Sequence, residues 1–163
     1  NGAMRCSYEL GQYRNALITA ENIINSNQND DDLKNEALIY AGRSAYELGE
    51  LITAKKYFSI LANSCNYEIC AEAAYKNAEI EFKENNLVES EKSIKKIISG
   101  SYSSSYWLAK TFILYGDWYA AKGNYFQAKY TYQSIVDNFE GELKDIALRK
   151  VQEVTALENT KNQ

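Results

Sequence analysis

Apolar residues recur every three to four positions along most of this chain, and the recurrence is interrupted by short polar breaks. Leu38, Ala41, Gly42, Ala45 and Leu48 make one stripe; Leu51, Ala54, Tyr57, Phe58 and Leu61 make the next, just past Gly49-Glu50. Further along, Phe112, Tyr115, Gly116 and Tyr119 precede a break at Lys122-Gly123-Asn124, and Tyr125, Ala128, Tyr132, Ile135 and Val136 follow it. This spacing puts the apolar positions on one face of a helix. The pattern therefore predicts helix, tight turn, helix. A last stripe of Leu143, Ile146, Ala147, Val151, Val154 and Leu157 lies opposite Lys144, Asp145, Arg149, Lys150 and Glu153, and predicts one more amphipathic helix over about 141–158.

The breaks share a phrase. It reads Leu10-Gly11-Gln12-Tyr13-x-x-Ala16, Leu48-Gly49-Glu50-Leu51-x-x-Ala54, Glu84-Asn85-Asn86-Leu87-x-x-Ser90 and Lys122-Gly123-Asn124-Tyr125-x-x-Ala128. The steps are 49−11 = 38, 85−49 = 36 and 123−85 = 38 residues. Helical hairpins of that length cannot bury their own apolar faces and must stack, which predicts an all-α solenoid with units at about 1–30, 31–66, 67–102 and 103–140, and the last helix as its cap. A helix that stops and reverses needs a left-handed residue, which glycine supplies and asparagine tolerates best among the rest, so Asn85 fits where Gly11, Gly49 and Gly123 stand. Gly42, Ala78 and Gly116 form a small-residue column on the first helices, facing the column Ala16, Ala54, Ser90 and Ala128; Met4 breaks it. Linkers are expected at 25–32, 63–67 and 99–104, with acidic residues at 30–32 opening a helix, one of Ser103, Ser104 and Ser105 capping the helix of Trp107, and the polar end from Glu158 fraying. The first helix starts in mid-pattern, which suggests the C-terminal piece of a longer repeat protein.

These residues resemble the tetratricopeptide repeat family, whose units pair antiparallel helices around a Gly-x-Tyr-x-x-Ala turn. Gly11 to Ala16 and Gly123 to Ala128 carry that core, Gly49 to Ala54 replaces the aromatic with Leu51, and Asn85 to Ser90 is more distant. The family's second-helix aromatic falls on Phe58 and Tyr132, with Ala20 and Ile94 in the other units. The family usually closes each unit with proline, and this chain has 0 prolines. The resemblance implies a right-handed α-α superhelix, and its long units look like those of bacterial cell-envelope members, including periplasmic lipoproteins. It also implies that the first helices line a concave groove for a protein or peptide. Arg5, Tyr8, Glu9, Ile39, Tyr40, Arg43, Tyr46, Tyr75, Lys76, Glu79, Phe82, Lys83, Ile113, Leu114 and Asp117 are the candidates for that wall. Within it Arg5, Arg43, Glu79 and Asp117 occupy one repeat position. They would make a groove basic at one end and acidic at the other, or else be solvated or paired inside the chain.

Composition narrows the function. A net charge of −4 and a sequence pI of about 5.0 argue against nucleic acid as the main partner. No apolar run approaches the roughly 20 residues of a membrane span. The chain has 0 histidines and 3 cysteines, Cys6, Cys65 and Cys70, too few thiolates for a common zinc site and odd in number, which predicts buried or half-buried free thiols. No nucleophile–base pair stands at useful spacing, and no glycine-rich phosphate loop follows a strand, so no cofactor is expected and catalysis is disfavoured. The 14 tyrosines suit a wet protein surface as well as a helical core. The reading is a non-catalytic interaction scaffold. The alternatives are a self-associating segment of a larger envelope assembly and the regulatory region of a signalling protein.

Overall fold

The computed structural model describes residues 2–26, 30–65 and 67–161, and these contain nine helices and no strand. They are α1 (Gly2–Glu9), α2 (Tyr13–Ile24), α3 (Asp31–Glu47), α4 (Leu51–Ala62), α5 (Glu68–Lys83), α6 (Leu87–Ser99), α7 (Ser105–Ala121), α8 (Tyr125–Asn138) and α9 (Glu142–Lys161). The turns inside the first four hairpins are built alike. Gly11, Gly49, Asn85 and Gly123 have φ of 72°, 75°, 59° and 72°. In the second turn the Gly49 amide donates to Tyr46 O (3.0 Å) and the Glu50 amide to Ala45 O (2.8 Å), and the other three turns repeat both bonds. This double closure satisfies the carbonyls that a helix end leaves free. Helix starts are capped where the sequence predicts it. Asp30 accepts from the Leu33 amide at 3.0 Å, Asp31 and Asp32 follow in the first turn, and Ser104 accepts from the Trp107 amide.

Each hairpin closes by pairing a small position with a larger one. Ala16, Ala54, Ser90 and Ala128 are all fully buried. A Cβ at Gly42 would fall inside the Phe58 ring, and one at Gly116 inside the Tyr132 ring. In the third hairpin Ala78 stands in that column with Ile94 as its counterpart, and in the first Met4 stands there with Ala20; all four are fully buried. Met4 thus does not break the column. The large residue has changed helices, and the volume of the pair is kept.

Each second helix packs on the first helix of the next hairpin, and the first helices also touch one another: α1 meets α3, α3 meets α5, α5 meets α7 and α7 meets α9. Among the described residues, no second helix meets another second helix. A stack with one continuous layer and one splayed layer curves toward the continuous one, so α1, α3, α5 and α7 form the concave side.

Three expectations need correction. Cys65 and Cys70 form a disulfide with Cα atoms 5.9 Å apart, closing the loop onto the first turn of α5, and Cys6 is exposed. A five-residue separation across a loop and a helix start brings the two sulfurs together. The last helix continues to Lys161 without fraying at Glu158. Of its apolar stripe, Leu143, Ala147 and Val154 are buried while Leu157 is exposed. Residues 27–29 and 66 of the expected linkers, and 162–163 of the expected tail, lie outside the described residues.

Candidate partner-binding wall

The concave side is a ladder of aromatic rings with cations between them. The Tyr8 ring lies 5.4 Å from Tyr13 and 5.4 Å from Tyr40, and the Arg43 guanidinium is 5.4 Å from the Tyr40 centroid. Lys76 Nζ stands 4.3 Å from the Tyr46 ring. One helix further, Tyr75 and Trp107 are 5.3 Å apart, and Lys110 Nζ lies 5.2, 5.7 and 5.1 Å from the rings of Tyr75, Tyr106 and Trp107. Ring faces attract cations most strongly where water is partly excluded.

Not every residue expected on this wall offers a surface. Arg5, Glu9 and Lys83 are exposed, and Tyr8, Arg43, Tyr46, Lys76, Glu79, Phe82 and Asp117 are half-buried. Tyr40, Tyr75, Ile39, Ile113 and Leu114 are buried and serve as packing. A first helix is wedged between its own partner helix and its neighbours, so only a narrow strip of it meets solvent.

The charged column is paired inside the chain. Arg5 bonds Glu36 of the next first helix. Arg43 grips Glu72 with two bonds, Nε to Oε1 at 2.7 Å and Nη2 to Oε2 at 2.5 Å. Glu79 takes Lys76 Nζ at 2.9 Å and the Tyr46 hydroxyl at 2.9 Å, with Lys83 at 3.7 Å. Asp117 receives Lys150 Nζ and the Tyr132 hydroxyl, both at 2.6 Å. The steps to the facing residue are 36−5 = 31, 72−43 = 29 and 150−117 = 33; the same step from Glu79, 110−79 = 31, reaches Lys110, whose ammonium stands among the rings of Tyr75, Tyr106 and Trp107. The signs differ between the ends: arginine meets glutamate at the first two joints and Asp117 meets Lys150 at the last, while Glu79 is paired with Lys76 and Lys83 of its own helix. The expected basic-to-acidic gradient is therefore neutralised inside the chain, and an Arg43→Glu change would set a second carboxylate against buried Glu72.

Protonation follows these contacts. Burial opposes charge on Arg43, but the Glu72 bonds raise it above the ordinary arginine value. Burial pushes Glu79 up, and Lys76, Lys83 and Tyr46 together bring it below the usual glutamate value. Burial lowers Lys110, and neighbouring Lys76 lowers it further. Burial raises Tyr75 and Tyr132, and Glu79 and Asp117 add to it respectively. Glu36, Glu72, Lys110, Lys150, Tyr106 and Trp107 were not among the expected wall residues. The step of about thirty residues to a residue of opposite sign was the signal available for the first four.

The sequence model for tetratricopeptide repeats matches residues 104–141. Among solved structures, the crystal structure of MamA superposes with a TM-score of 0.61 at 18% identity, covering 98% of this chain and 96% of that one, a likeness of fold. Comparison with curated proteins returns no match.

Proposed function

We propose that this chain, which matches the tetratricopeptide repeat model over residues 104–141, is a non-catalytic scaffold whose concave wall holds a protein or peptide partner. The observation that carries the reading is the continuous inner layer of first helices, with half-buried Tyr8 and Tyr46 and exposed Lys83 along one strip. Tyrosines already fixed by neighbours lose little freedom on binding and present both an apolar face and a polar tip. Tyr46 is held by Glu79 and Lys83. A photo-crosslinking amino acid placed singly at Tyr8, Tyr46 or Tyr106 should capture a common partner from lysate of the source cells. The same group at Ile52 or Phe126, on second helices, should not. Adducts formed only from the second helices would sink the proposal.

One observation favours a second reading, self-association. Ile52, Val88 and Phe126 each stand three residues past their turn residue and are 86%, 75% and 69% exposed. Three apolar side chains in one register form an interrupted ridge that a partner of the same repeat spacing could cover. Mass measured over a range of protein concentrations decides it: a constant monomer mass excludes this reading.

A further inference from the structure

Splayed second helices leave a crevice between each successive pair, floored by the first helix between them, and the repeat register shows how each is filled. On the floor, the positions eight and four residues before the turn residue are Ala41 and Ala45 in α3, Asn77 and Glu81 in α5, and Tyr115 and Tyr119 in α7. On the wall, the position eight residues after the turn is Tyr57 in α4, Ser93 in α6 and Thr131 in α8. Between α2 and α4, Tyr57, Ala41 and Ala45 are all buried, and the Tyr57 hydroxyl donates to Glu21 at 2.6 Å. At the α6–α8 crevice the floor positions are occupied by Tyr115 and Tyr119, whose ring centroids lie 4.5 Å apart. Between α4 and α6 no aromatic stands at either register, and a cavity of about 170 Å³ remains.

Its lining includes Ser59, Asn77, Glu81, Ser93, Lys96 and Tyr102. Asn77 donates through Nδ2 to Ser59 Oγ at 3.1 Å, yet its Oδ1 is buried and accepts nothing among the described residues. Glu81 Oε2 is likewise buried without a donor, while its Oε1 lies 3.9 Å from Lys55, whose nearer carboxylate is Glu84 at 3.4 Å. Lys96 is turned to Asn63 Oδ1 at 3.0 Å. Buried acceptors left without donors are costly, and a carboxylate oxygen gains most from a charged donor. We propose that this α4–α6 crevice binds a cationic nitrogen group, a guanidinium or a primary ammonium, between Asn77 Oδ1 and Glu81 Oε2.

The site is on the other side of α5 from the concave wall: Glu79 faces Tyr46, and Glu81, two residues on, lines the crevice. Its test is therefore independent of the wall. N-acetylarginine amide, n-butylamine and uncharged n-butylurea are titrated into the intact chain, following the Asn77 side-chain amide by NMR. Saturable shifts with the arginine probe identify a guanidinium site, and with the amine an ammonium site; either supports the proposal. Glu81→Gln should weaken binding about tenfold, with helical content unchanged by circular dichroism. Lys96→Gln, which removes a cation from the lining, should tighten binding, an effect that loss of packing would not produce. Equal binding of the urea, or no saturable shift with either cation, overturns the proposal.

Discussion

The joints at the two ends of this solenoid solve one electrostatic problem with opposite signs. From α1 through α5 the earlier helix supplies arginine and the later one glutamate: Arg5 to Glu36, Arg43 to Glu72. At the α7–α9 joint the carboxylate comes first, Asp117 to Lys150, while Glu79 on α5 is held by Lys76 and Lys83 of its own helix. What the stack preserves is complementarity across a joint, whichever helix carries which charge. A column of charges down one face therefore says nothing about ligand preference until the facing column has been read.

That comparison can be broken most severely at the second joint. The side chains of Arg43 and Glu72 are only 28% and 8% exposed. Arg43→Glu should lower unfolding stability by about 3–5 kcal/mol, the scale for stranding one member of a buried pair. Adding Glu72→Arg should recover most of it in urea denaturation; a double variant no more stable than the single one would show that sign order matters after all. At the last joint, Lys150→Glu should cost about 1.5–3 kcal/mol, because Asp117 loses a charged hydrogen bond but keeps Tyr132.

Glu79, paired along its own helix rather than across a joint, is tested with pH. Glu79 is held below its ordinary value of 4.5 in the folded chain. Its contribution is thus complete above that value and disappears as pH falls through the folded one, since the unfolded chain then binds the proton more readily. Glu79→Gln should flatten this part of the acid limb in a series of thermal melts from neutral pH downward; an unchanged slope would show that Lys76 and Lys83 do not hold the carboxylate. The smallest effect belongs to the first joint, where the Arg5 side chain is 62% exposed. Arg5→Glu should leave the melting temperature unmoved, as solvent screens an exposed pair.

Hairpin order was legible because its causes are local. A reversal needs a left-handed residue, which singled out Gly11, Gly49, Asn85 and Gly123, and a close crossing needs the small residues that follow them. The wall was only partly legible. Helical spacing identified the first helices but could not tell exposed Arg5 and half-buried Tyr46 from Tyr75 and Ile113, which point slightly further round and are buried. The pairing of the charged column needed a second register, about thirty residues on. The bond between Cys65 and Cys70 was obscured by an odd count, which leaves Cys6 over without preventing the other two from joining. The α4–α6 crevice carries no motif, since it arises from small polar residues at positions that hold rings elsewhere.

The splayed outer layer also makes the stack unequally stiff. At the middle joint α3 and α5 touch over the slightest stretch of any neighbouring inner pair, and in the outer gap beside them the floor and wall positions hold no ring, Tyr102 entering only from the loop before α7. That joint is instead stitched by the Arg43 grip on Glu72 and by the Tyr46 hydroxyl on Glu79. Hydrogen bonds tolerate small changes of angle that interlocked rings do not. A cargo drawing α3 and α5 together on the inner side would therefore widen the α4–α6 slot on the opposite side.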